Sequence, residues 1–440
     1  MRILFLVIVM ESLWHQTKVP EFPRLKESIK TDVLIIGGGM AGLLCAYFLK
    51  QQGMDCILVE ENRICSGVTG NTTAKITAQH GEIYQKLYKK LGSERAQLYY
   101  KANSEALETY KQLVKGMACD FKTQNSYLYR RDNREKLEKE MAVLEMIGVP
   151  AQWIETTDLP FEVVGTICMA DQGQFHPLKF AAKTAKDLPI YEHTAVISFD
   201  GKVYHTQYGT IDAAQTVVAT HFPMWNKNGL YPLKLYQDRS YVLALENAPA
   251  IKGMYMDGDP RGLSFRQAGE YLLLGGGAHR TGKKGGGWQD NTAKQYYPNS
   301  QVAYRWATQD CMTLDGMPYI GRYSRNTPDL YVATGFQKWG MTGSMVSAKL
   351  LTDLLLGKSN PYEALFSPSR SMLTGQLAVN GFEAVTHLLK PTAPRCPHMG
   401  CALKWNSREH SWDCPCHGSR FAADGTRLNN PATGDLKSKE

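Results

Sequence analysis

Residues 31–49 read TDVLIIGGGMAGLLCAYFL, a short apolar run, a glycine-rich turn and a second apolar run. The first run predicts a buried strand and the second predicts a helix, with Gly37, Gly39 and Gly42 at G-x-G-x-x-G spacing between them. Glycines at this spacing permit a tight turn and the close approach of a pyrophosphate, whose charge is stabilised at the helix N-terminus. The stretch therefore predicts a dinucleotide site.

The residues that follow indicate which dinucleotide is bound. A second predicted strand over residues 56–59 ends at Glu60, twenty-one residues after Gly39, where a carboxylate can bind ribose hydroxyls. Residues 66–81 form an extended segment of small residues, including Ser66 and Thr73. Such a segment can pass beneath phosphates and a flavin ring without steric conflict. This favours FAD over NAD as the cofactor.

A second group of ligand-type residues lies near the end of the chain. Residues 396–401 read CPHMGC and residues 414–419 read CPCHGS. The half-sites C-x-H and C-x-x-H supply two thiolates and two imidazoles, the mixed ligand set of a Rieske [2Fe-2S] cluster. The predicted ligands are Cys396, His398, Cys414 and His417. The alternative is a structural zinc site, but paired zinc ligands usually follow C-x₂₋₄-C and H-x₃₋₅-H spacing, which this pattern does not match.

Composition restricts the class of protein. A chain of 440 residues predicts two or three units, and 43% hydrophobic with 21% charged residues is typical of a soluble globular protein. The net charge of +8 is spread along the chain without a basic stripe interleaved with aromatic residues, so nucleic acid is not an expected partner. Residues 3–10 form an apolar run too short to span a bilayer. We therefore expect a cytoplasmic protein without stable membrane insertion.

Hydrophobic periodicity outlines the remaining elements. The predicted elements are paired helices over residues 82–115, a helix over 135–147, a helix beginning at Pro177, a hairpin at Asp200-Gly201, a strand over 216–221 and antiparallel strands over 230–285. The predicted units are an extension over residues 1–30, an oxidoreductase over 31–375 with an inserted substrate lobe at roughly 120–190 and 230–310, a linker over 376–395 and a minimal cluster module over 396–440.

Two further segments carry functional expectations. Residues 275–287 are rich in glycine and contain His279, Arg280, Lys283 and Lys284, which predicts either a mobile lid that offers cations to an anionic substrate or a solvated loop. Residues 340–342, Gly-Met-Thr, begin a predicted helix. A helix N-terminus at this position would stabilise negative charge on a reduced flavin.

On these motifs, residues 31–358 resemble the FAD-dependent oxidoreductases of the D-amino-acid oxidase and glycine oxidase superfamily, and the tail resembles a fused Rieske module. The resemblance implies an α/β (α+β) fold: a Rossmann-like FAD-binding domain of glutathione-reductase type, an antiparallel substrate lobe and a small C-terminal all-β module. It also implies that Gly37, Gly39, Gly42 and Glu60 bind the adenosine diphosphate half of FAD, that Val196 pairs with adenine, and that Gly340, Met341 and Thr342 meet the flavin.

The resemblance also implies an activity. The family oxidises amines or amino acids by hydride transfer to flavin, and here the electrons would pass singly to the cluster and then to an unidentified external acceptor. The alternatives are a reductase running in the reverse direction and a non-catalytic redox sensor. The family often uses no strong protein base, and the candidates for catalytic residues are Lys75, His80, Arg280 and Lys338.

The cysteines outside the ligand set divide into two groups. In the resembling Rieske proteins of cytochrome bc complexes, a second cysteine pair joins the two cluster loops, which implies a disulfide between Cys401 and Cys416. We interpret the cysteines before residue 311 as buried small apolar residues. The spacing around Cys311 differs from that of relatives that attach flavin covalently, so attachment there is disfavoured.

Overall fold

The computed structural model describes residues 11–225, 228–391 and 394–436. The predicted apolar run at residues 3–10 lies outside the described residues. No helix in the described part of the chain is long and apolar enough to cross a bilayer.

Twenty-one strands are present in the described residues. They are β1 Ile29–Ile36, β2 Cys56–Val59, β3 Lys75–Ile76, β4 Lys122–Arg130, β5 Gln152–Ile154, β6 Gly165–Gln174, β7 Ile190–Tyr191, β8 Val196–Asp200, β9 Val203–Thr206, β10 Thr210–Val218, β11 Leu235–Glu246, β12 Met254–Asp257, β13 Ser264–Ala268, β14 Tyr271–Arg280, β15 Gln301–Thr313, β16 Tyr319–Arg322, β17 Leu330–Thr334, β18 Lys404–Asn406, β19 Ser411–Asp413, β20 Arg420–Ala422 and β21 Arg427–Asn429.

The helices confirm most of the predicted helical segments. They are α1 Met40–Gln51, α2 Ile83–Leu91, α3 Ser93–Leu113, α4 Arg134–Met146, α5 Pro177–Ala185, α6 Tyr231–Lys234, α7 Asp290–Tyr296, α8 Gly340–Leu355, α9 Glu363–Phe366 and α10 Gly375–Leu389, with short 3-10 helices at Leu13–Gln16 and Val68–Asn71. Pro177 begins α5 as predicted, because a proline at the first helical position gives up no intrahelical hydrogen bond.

The first sheet carries the predicted dinucleotide fold. Its main strand order is β16-β17-β10-β1-β2-β7, and the β8–β9 hairpin pairs with β10. β1 runs parallel to both β2 and β10 and is buried at its carboxyl end, as expected for a central parallel strand. β10 ends at Val218 instead of the predicted residue 221. The chain turns there because Ala219 lies against Gly37 and His221 has a φ of +68°.

The second sheet is the predicted antiparallel lobe. Its main strand order is β15-β11-β14-β13-β12-β4-β6-β3, with β5 paired to β6. All its pairings are antiparallel except that of β4 with β12. The sheet is assembled from three separate parts of the chain, which is why no local pattern revealed its strand order.

The C-terminal module contains a small sheet of four antiparallel strands, in the order β18-β19-β20-β21. Residues 376–395 were predicted to be a linker, but most of this segment is α10. Thr374 caps the helix by accepting a hydrogen bond from the Leu377 N–H at 3.3 Å. Glu383 and His387 on the helix are buried against the rest of the molecule. The segment between the two units is therefore a docked helix, and the predicted division of the chain into units stays a prediction.

The glycine-rich segment at residues 275–287 is not a separate lid. Its first half, through Arg280, belongs to β14 and pairs with β11. Beyond the strand, an added Cβ at Gly282 would lie 2.7 Å from the Pro415 nitrogen, so the segment packs closely against the second cluster loop. Lys283 also forms an ion pair with Glu383 of α10 at 2.5 Å. Residues 275–287 therefore connect the second sheet to α10 and the C-terminal module.

Candidate functional site

A cavity of about 990 Å³ is lined by residues of both large sheets. The predicted cofactor residues that line it are Gly37, Gly39, Glu60, Ser66, Thr73, Val196, Gly340 and Met341. Gly42 and Thr342 lie behind the cavity wall. Most of the predicted cofactor residues, which are far apart in sequence, therefore surround one space.

The turn leaves no room for a side chain at Gly37 and Gly42, two glycines of the motif. Gly37 has a φ of +110°, and an added Cβ would lie 2.6 Å from the Ala219 carbonyl oxygen. An added Cβ at Gly42 would lie 2.0 Å from the Gly37 oxygen. Gly42 therefore allows α1 to approach the turn, while Gly37 and Gly39 face the cavity.

Glu60 is held in one orientation at the end of β2. Its two carboxylate oxygens accept hydrogen bonds from the N–H of Gly38 at 2.6 Å and from the N–H of Asn62 at 2.9 Å. Burial nevertheless raises the pKa of the Glu60 carboxyl group. The Glu60 carboxylate therefore contacts the glycine turn and lines the cavity. Its contact with a ribose stays a prediction.

His80 lies beside the N-terminus of α8. Its Nε2 is 2.7 Å from the Thr77 carbonyl oxygen, its Nδ1 is 2.7 Å from the Tyr99 hydroxyl, and its ring stacks on Trp339 at 4.7 Å. Nε2 therefore carries the proton and donates to Thr77. Burial lowers the pKa of His80 to about 3. His80 is accordingly a neutral, hydrogen-bonded wall residue, and the Trp339 stack was not foreseen from the sequence.

The other catalytic candidates are placed apart from one another. Lys75 is buried outside the cavity lining and donates to the Tyr255 carbonyl at 3.1 Å; burial beside Arg266 lowers its pKa to about 7. Lys338 lines the cavity and donates to the Pro260 carbonyl at 3.3 Å.

Arg280 serves the cluster module instead. It donates to the carbonyl oxygens of Pro415 at 3.0 Å and Cys416 at 2.9 Å, and to the side chain of Asn380 at 3.0 Å. Its guanidinium lies over the Tyr236 ring. The structure thus gives Arg280 a structural contact in place of the catalytic position expected from sequence.

The four predicted cluster ligands come together between the two C-terminal loops. Cys396, Cys414 and His417 are buried, and the rings of His398 and His417 are perpendicular with centroids 4.9 Å apart. A hydrogen bond between the Cys396 and Cys414 side chains, together with burial, raises the pKa of the Cys396 thiol. The structure thus pairs Cys396 with Cys414 and His398 with His417, and their joint ligation of a cluster stays a prediction.

The donor atoms of this group fit an iron–sulfur cluster. His417 Nε2 is 3.0 Å from the Pro232 carbonyl oxygen, whereas its Nδ1 is buried and makes no hydrogen bond among the described residues. Donation from Nε2 to the carbonyl leaves Nδ1 unprotonated, which is the form that binds a metal. The backbone partner thus leaves His417 Nδ1 available to bind a metal, as the predicted ligand role requires.

Cys401 and Cys416 lie beside the predicted ligands. The sulfurs of Cys401, Cys414 and Cys416 are all within 4.8 Å of one another. Every cysteine in the structure, including this pair, is a free thiol. The structure therefore does not show the disulfide, and that pairing stays a prediction.

The strand β11 has the cavity on one side and the cluster module on the other. Tyr236 and Ser240 line the cavity. The alternate residue Gln237 donates from its side chain to the His417 carbonyl at 2.7 Å, and Gln309 of the neighbouring strand donates to the Gly418 carbonyl at 2.7 Å. Successive residues of a strand point to opposite faces of a sheet. At this point the second cluster loop contacts β11 on the face opposite Tyr236, while β21 of the module reaches the cavity at Arg427 and Asn429.

A buried charge network reinforces this contact. Glu409 of the module forms hydrogen bonds with Arg239 Nε at 2.5 Å, with Arg420 Nη2 at 3.0 Å and with the Tyr241 hydroxyl at 3.1 Å. Although burial opposes ionisation, the two guanidinium groups lower the pKa of Glu409 to about 2. Nothing in the local sequence marked these residues, because their pairing requires chain segments about 170 residues apart to meet.

His221 and Phe222 provide a second connection. His221 lines the cavity, and the Phe222 ring centroid is 6.1 Å from the ring centroids of both His398 and His417. Burial lowers the pKa of His221 to about 4. Consecutive residues thus contact the cavity and the imidazoles of the cluster site.

Comparisons with known proteins agree with this geometry. Residues 32–354 match the family model described as FAD dependent oxidoreductase, and residues 379–440 match the Rieske [2Fe-2S] domain. The chain is 34% identical to a putative Rieske 2Fe-2S iron-sulfur protein, YhfW, of Bacillus subtilis (strain 168), over 97% of each chain. It is 23% identical to the gamma-glutamylputrescine oxidoreductase of Escherichia coli (strain K12), over 79% of this chain and 88% of the relative.

Solved structures share the fold of the larger part. Glycine oxidase from Geobacillus kaustophilus superimposes with a TM-score of 0.65 at 20% identity, covering 78% of this chain and 99% of that one. L-proline dehydrogenase from P. horikoshii gives a TM-score of 0.64 at 19% identity, covering 79% and 98%. At this identity the likeness concerns the fold alone.

Proposed function

We propose that this chain, which belongs to the family of FAD-dependent oxidoreductases and ends in a Rieske [2Fe-2S] domain, oxidises an amine or amino acid and passes the electrons singly to an external acceptor. Its cofactors are FAD and the [2Fe-2S] cluster. When bound, FAD accepts a hydride with its two electrons, and the cluster carries one electron at a time.

The arrangement of β11 and β15 supports this proposal most directly. Tyr236 and Asp310 line the cavity, while Gln237 and Gln309 of the same two strands hold the second cluster loop. The cavity and the second cluster loop therefore contact the same two strands, and Arg427 and Asn429 of the module also line the cavity. His417 is buried, with only 4% of its surface exposed, which is consistent with electron transfer inside the molecule.

The proposed residue roles follow from the positions in the cavity. Gly37 and Gly39 would hold the pyrophosphate at the N-terminus of α1, and Gly340 and Met341 would place the N-terminus of α8 beside the flavin. Cys396, His398, Cys414 and His417 would hold the cluster. Ser66, Thr73 and Val196 would complete the contacts with FAD.

The direction of electron flow can be tested by stopped-flow spectroscopy without oxygen. We expect an oxidisable amine or amino acid to bleach the flavin bands first and to change the cluster bands afterwards. Cys396→Ser should keep flavin bleaching and lose most turnover with a one-electron dye. Cys168→Ser, which alters a buried cysteine of β6, should behave like the unmodified chain.

Other outcomes would identify the alternatives. Cluster reduction by an external donor followed by flavin reduction, with no bleaching by any amine or amino acid, would identify a reductase. Undiminished dye turnover in Cys396→Ser would show that the cluster is not the electron outlet. A change in partner binding on cluster reduction, without any substrate, would identify a redox sensor.

A further inference from the structure

We propose that Asp310, with Asp238 beside it, binds the ammonium group of the substrate, and that the substrate is an amine without an adjacent carboxylate. The inference rests on the proposed function, because it assigns a substrate class to the same cavity. It goes further by choosing between amines and amino acids.

The register of β11 and β15 brings the two carboxylates together. Asp238 pairs directly with Asp310, and Ser240 pairs with Thr308. Side chains of directly opposed residues in antiparallel strands lie on the same face, about 5 Å apart at Cβ. Ser240, Thr308 and Asp310 all line the cavity, which identifies this face as the cavity face. Asp238 is therefore on the same side of the sheet as Asp310.

Asp310 has no protein partner that satisfies its charge. Its carboxylate makes no hydrogen bond and no ion pair within the described ranges, and it faces the cavity instead of bulk solvent. Burial raises the pKa of Asp310 to about 7; Lys338 opposes this shift and Asp238 adds to it. Asp310 is partly buried, and a carboxylate that is shielded from bulk water without a partner is destabilised; a bound cation offsets that cost.

The arginines of the cavity wall are paired with other residues, and the lysines of the wall are Lys86, Lys90 and Lys338. Among the described residues that line it, the arginines are Arg63 and Arg427. Arg63 pairs with Glu192 at 2.8 Å, and Arg427 pairs with Glu61. Lys338 donates to a backbone carbonyl and forms no ion pair with Asp310. Arg280 of β14 lies opposite Asp238, but its guanidinium donates to the carbonyl oxygens of Pro415 and Cys416 and to Asn380 and does not line the cavity. The carboxylate of Asp310 lines the cavity without a partner and is therefore placed to bind an ammonium group.

Asp310 is also placed to accept the proton that the substrate ammonium group must lose. A primary amine arrives as R–CH₂–NH₃⁺ and must lose a proton before its carbon can release a hydride. The Asp310 carboxylate accepts that proton, and the carbon then transfers its hydrogen with two electrons to FAD. The product is the iminium R–CH=NH₂⁺, and the charges balance because one proton and one hydride have left the substrate.

The test compares two oxidisable pairs that differ only in the carboxylate and one non-oxidisable pair of opposite charge. The oxidisable pairs are benzylamine with phenylglycine and tyramine with tyrosine, monitored by anaerobic flavin bleaching. The non-oxidisable pair is benzyltrimethylammonium with benzoate, monitored by the perturbation of the FAD absorbance bands. We expect the amines to bleach the flavin and the quaternary ammonium to bind, with the amino acids and benzoate at least about tenfold weaker.

A charge variant adds a second measurement. Asp310→Asn should weaken benzyltrimethylammonium binding about tenfold or more, the effect of losing one charged hydrogen-bonding partner. Asp290→Asn removes a carboxylate that pairs with Arg305 outside the cavity lining, and it should leave binding unchanged. If Asp310→Asn does not retain FAD, the comparison of probes in the unmodified chain is by itself the test of the proposed ammonium site.

Failure of this inference can be distinguished from failure of the proposed function. Bleaching by the amino acids with none by the amines would overturn the inference and leave the proposed oxidation intact. Binding of benzoate in preference to the quaternary ammonium would overturn it independently of turnover. Bleaching by neither class, with normal FAD content, would count against the proposed function itself.

Discussion

The side-chain amide of Gln237 donates a hydrogen bond to the backbone carbonyl of His417 across 2.7 Å. It also donates to the Asn430 carbonyl at 3.1 Å, so a single buried amide joins β11 to the second cluster loop and to the residue after β21. Tyr236, the preceding residue, faces the cavity. Neighbouring residues of β11 therefore contact the cavity and the second cluster loop.

Gln237→Ala should loosen the module without affecting FAD. Removing the amide leaves two carbonyl groups without a buried donor, which costs about 1–3 kcal/mol. The measurement is the urea midpoint for loss of cluster absorbance, compared with the midpoint for release of FAD. Gln267→Ala removes an exposed amide that bonds to Gly269 and should change neither midpoint. Equal losses of both cofactors in Gln237→Ala would contradict a separate docking role.

Glu409→Gln should destabilise the same contact more strongly. The change leaves Arg239 and Arg420 buried without their shared carboxylate, and breaking a buried ion pair costs about 3–5 kcal/mol. Urea unfolding monitored by tryptophan fluorescence measures the effect. Glu135→Gln, which breaks an exposed pair with Lys139, is the control and should have little effect.

The contribution of Glu409 should depend on pH in a defined direction. Its pKa is lowered to about 2 in the folded protein, against about 4.3 for an unperturbed glutamate. The stabilisation is therefore present above pH 4.3 and is lost as the pH falls towards 2. The difference in urea midpoint between the unmodified chain and Glu409→Gln should shrink between pH 5 and pH 3. A difference that is independent of pH would contradict the assignment.

His417→Cys should move the EPR spectrum of the reduced protein away from the Rieske type. Imidazole ligation raises the potential of these clusters, so a thiolate at this position should also lower it. His410→Cys alters a histidine of the same module that packs beside Trp405 and should keep the Rieske spectrum. An unchanged spectrum in His417→Cys would remove this residue from the proposed ligands.

Cys401→Ser should accelerate cluster loss more than FAD release. The expected pair, Cys401 and Cys416, would join only the two cluster loops, and their sulfurs lie within 4.8 Å of each other. Alkylation of the denatured, unreduced protein should also detect two fewer free thiols than the ten cysteines of the sequence. Ten reactive thiols would show that the disulfide is not formed. Cys168→Ser is the control for cluster loss and FAD release, because it removes a cysteine outside the cluster loops.

The local motifs were sufficient to predict both cofactors and the class of fold. Gly37 and Gly42 must be glycine because a Cβ at either position would clash with neighbouring backbone. The predicted cluster ligands likewise lie within two short loops. The alternation and helical periodicity likewise predicted α2, α3 and α4, because their buried faces repeat within a few residues.

The position of the module on the sheet was decided only by the tertiary structure. Gln237, Arg239 and Glu409 are ordinary polar residues until β11 and the cluster loops meet, and the partnerless carboxylate of Asp310 becomes apparent only when β15 closes the cavity. The contact of Arg280 with the second cluster loop was not predicted for the same reason, since its partner Pro415 lies more than 130 residues away. A sequence motif records constraints that are local in the chain, whereas these contacts arise from long-range pairing that no local pattern encodes.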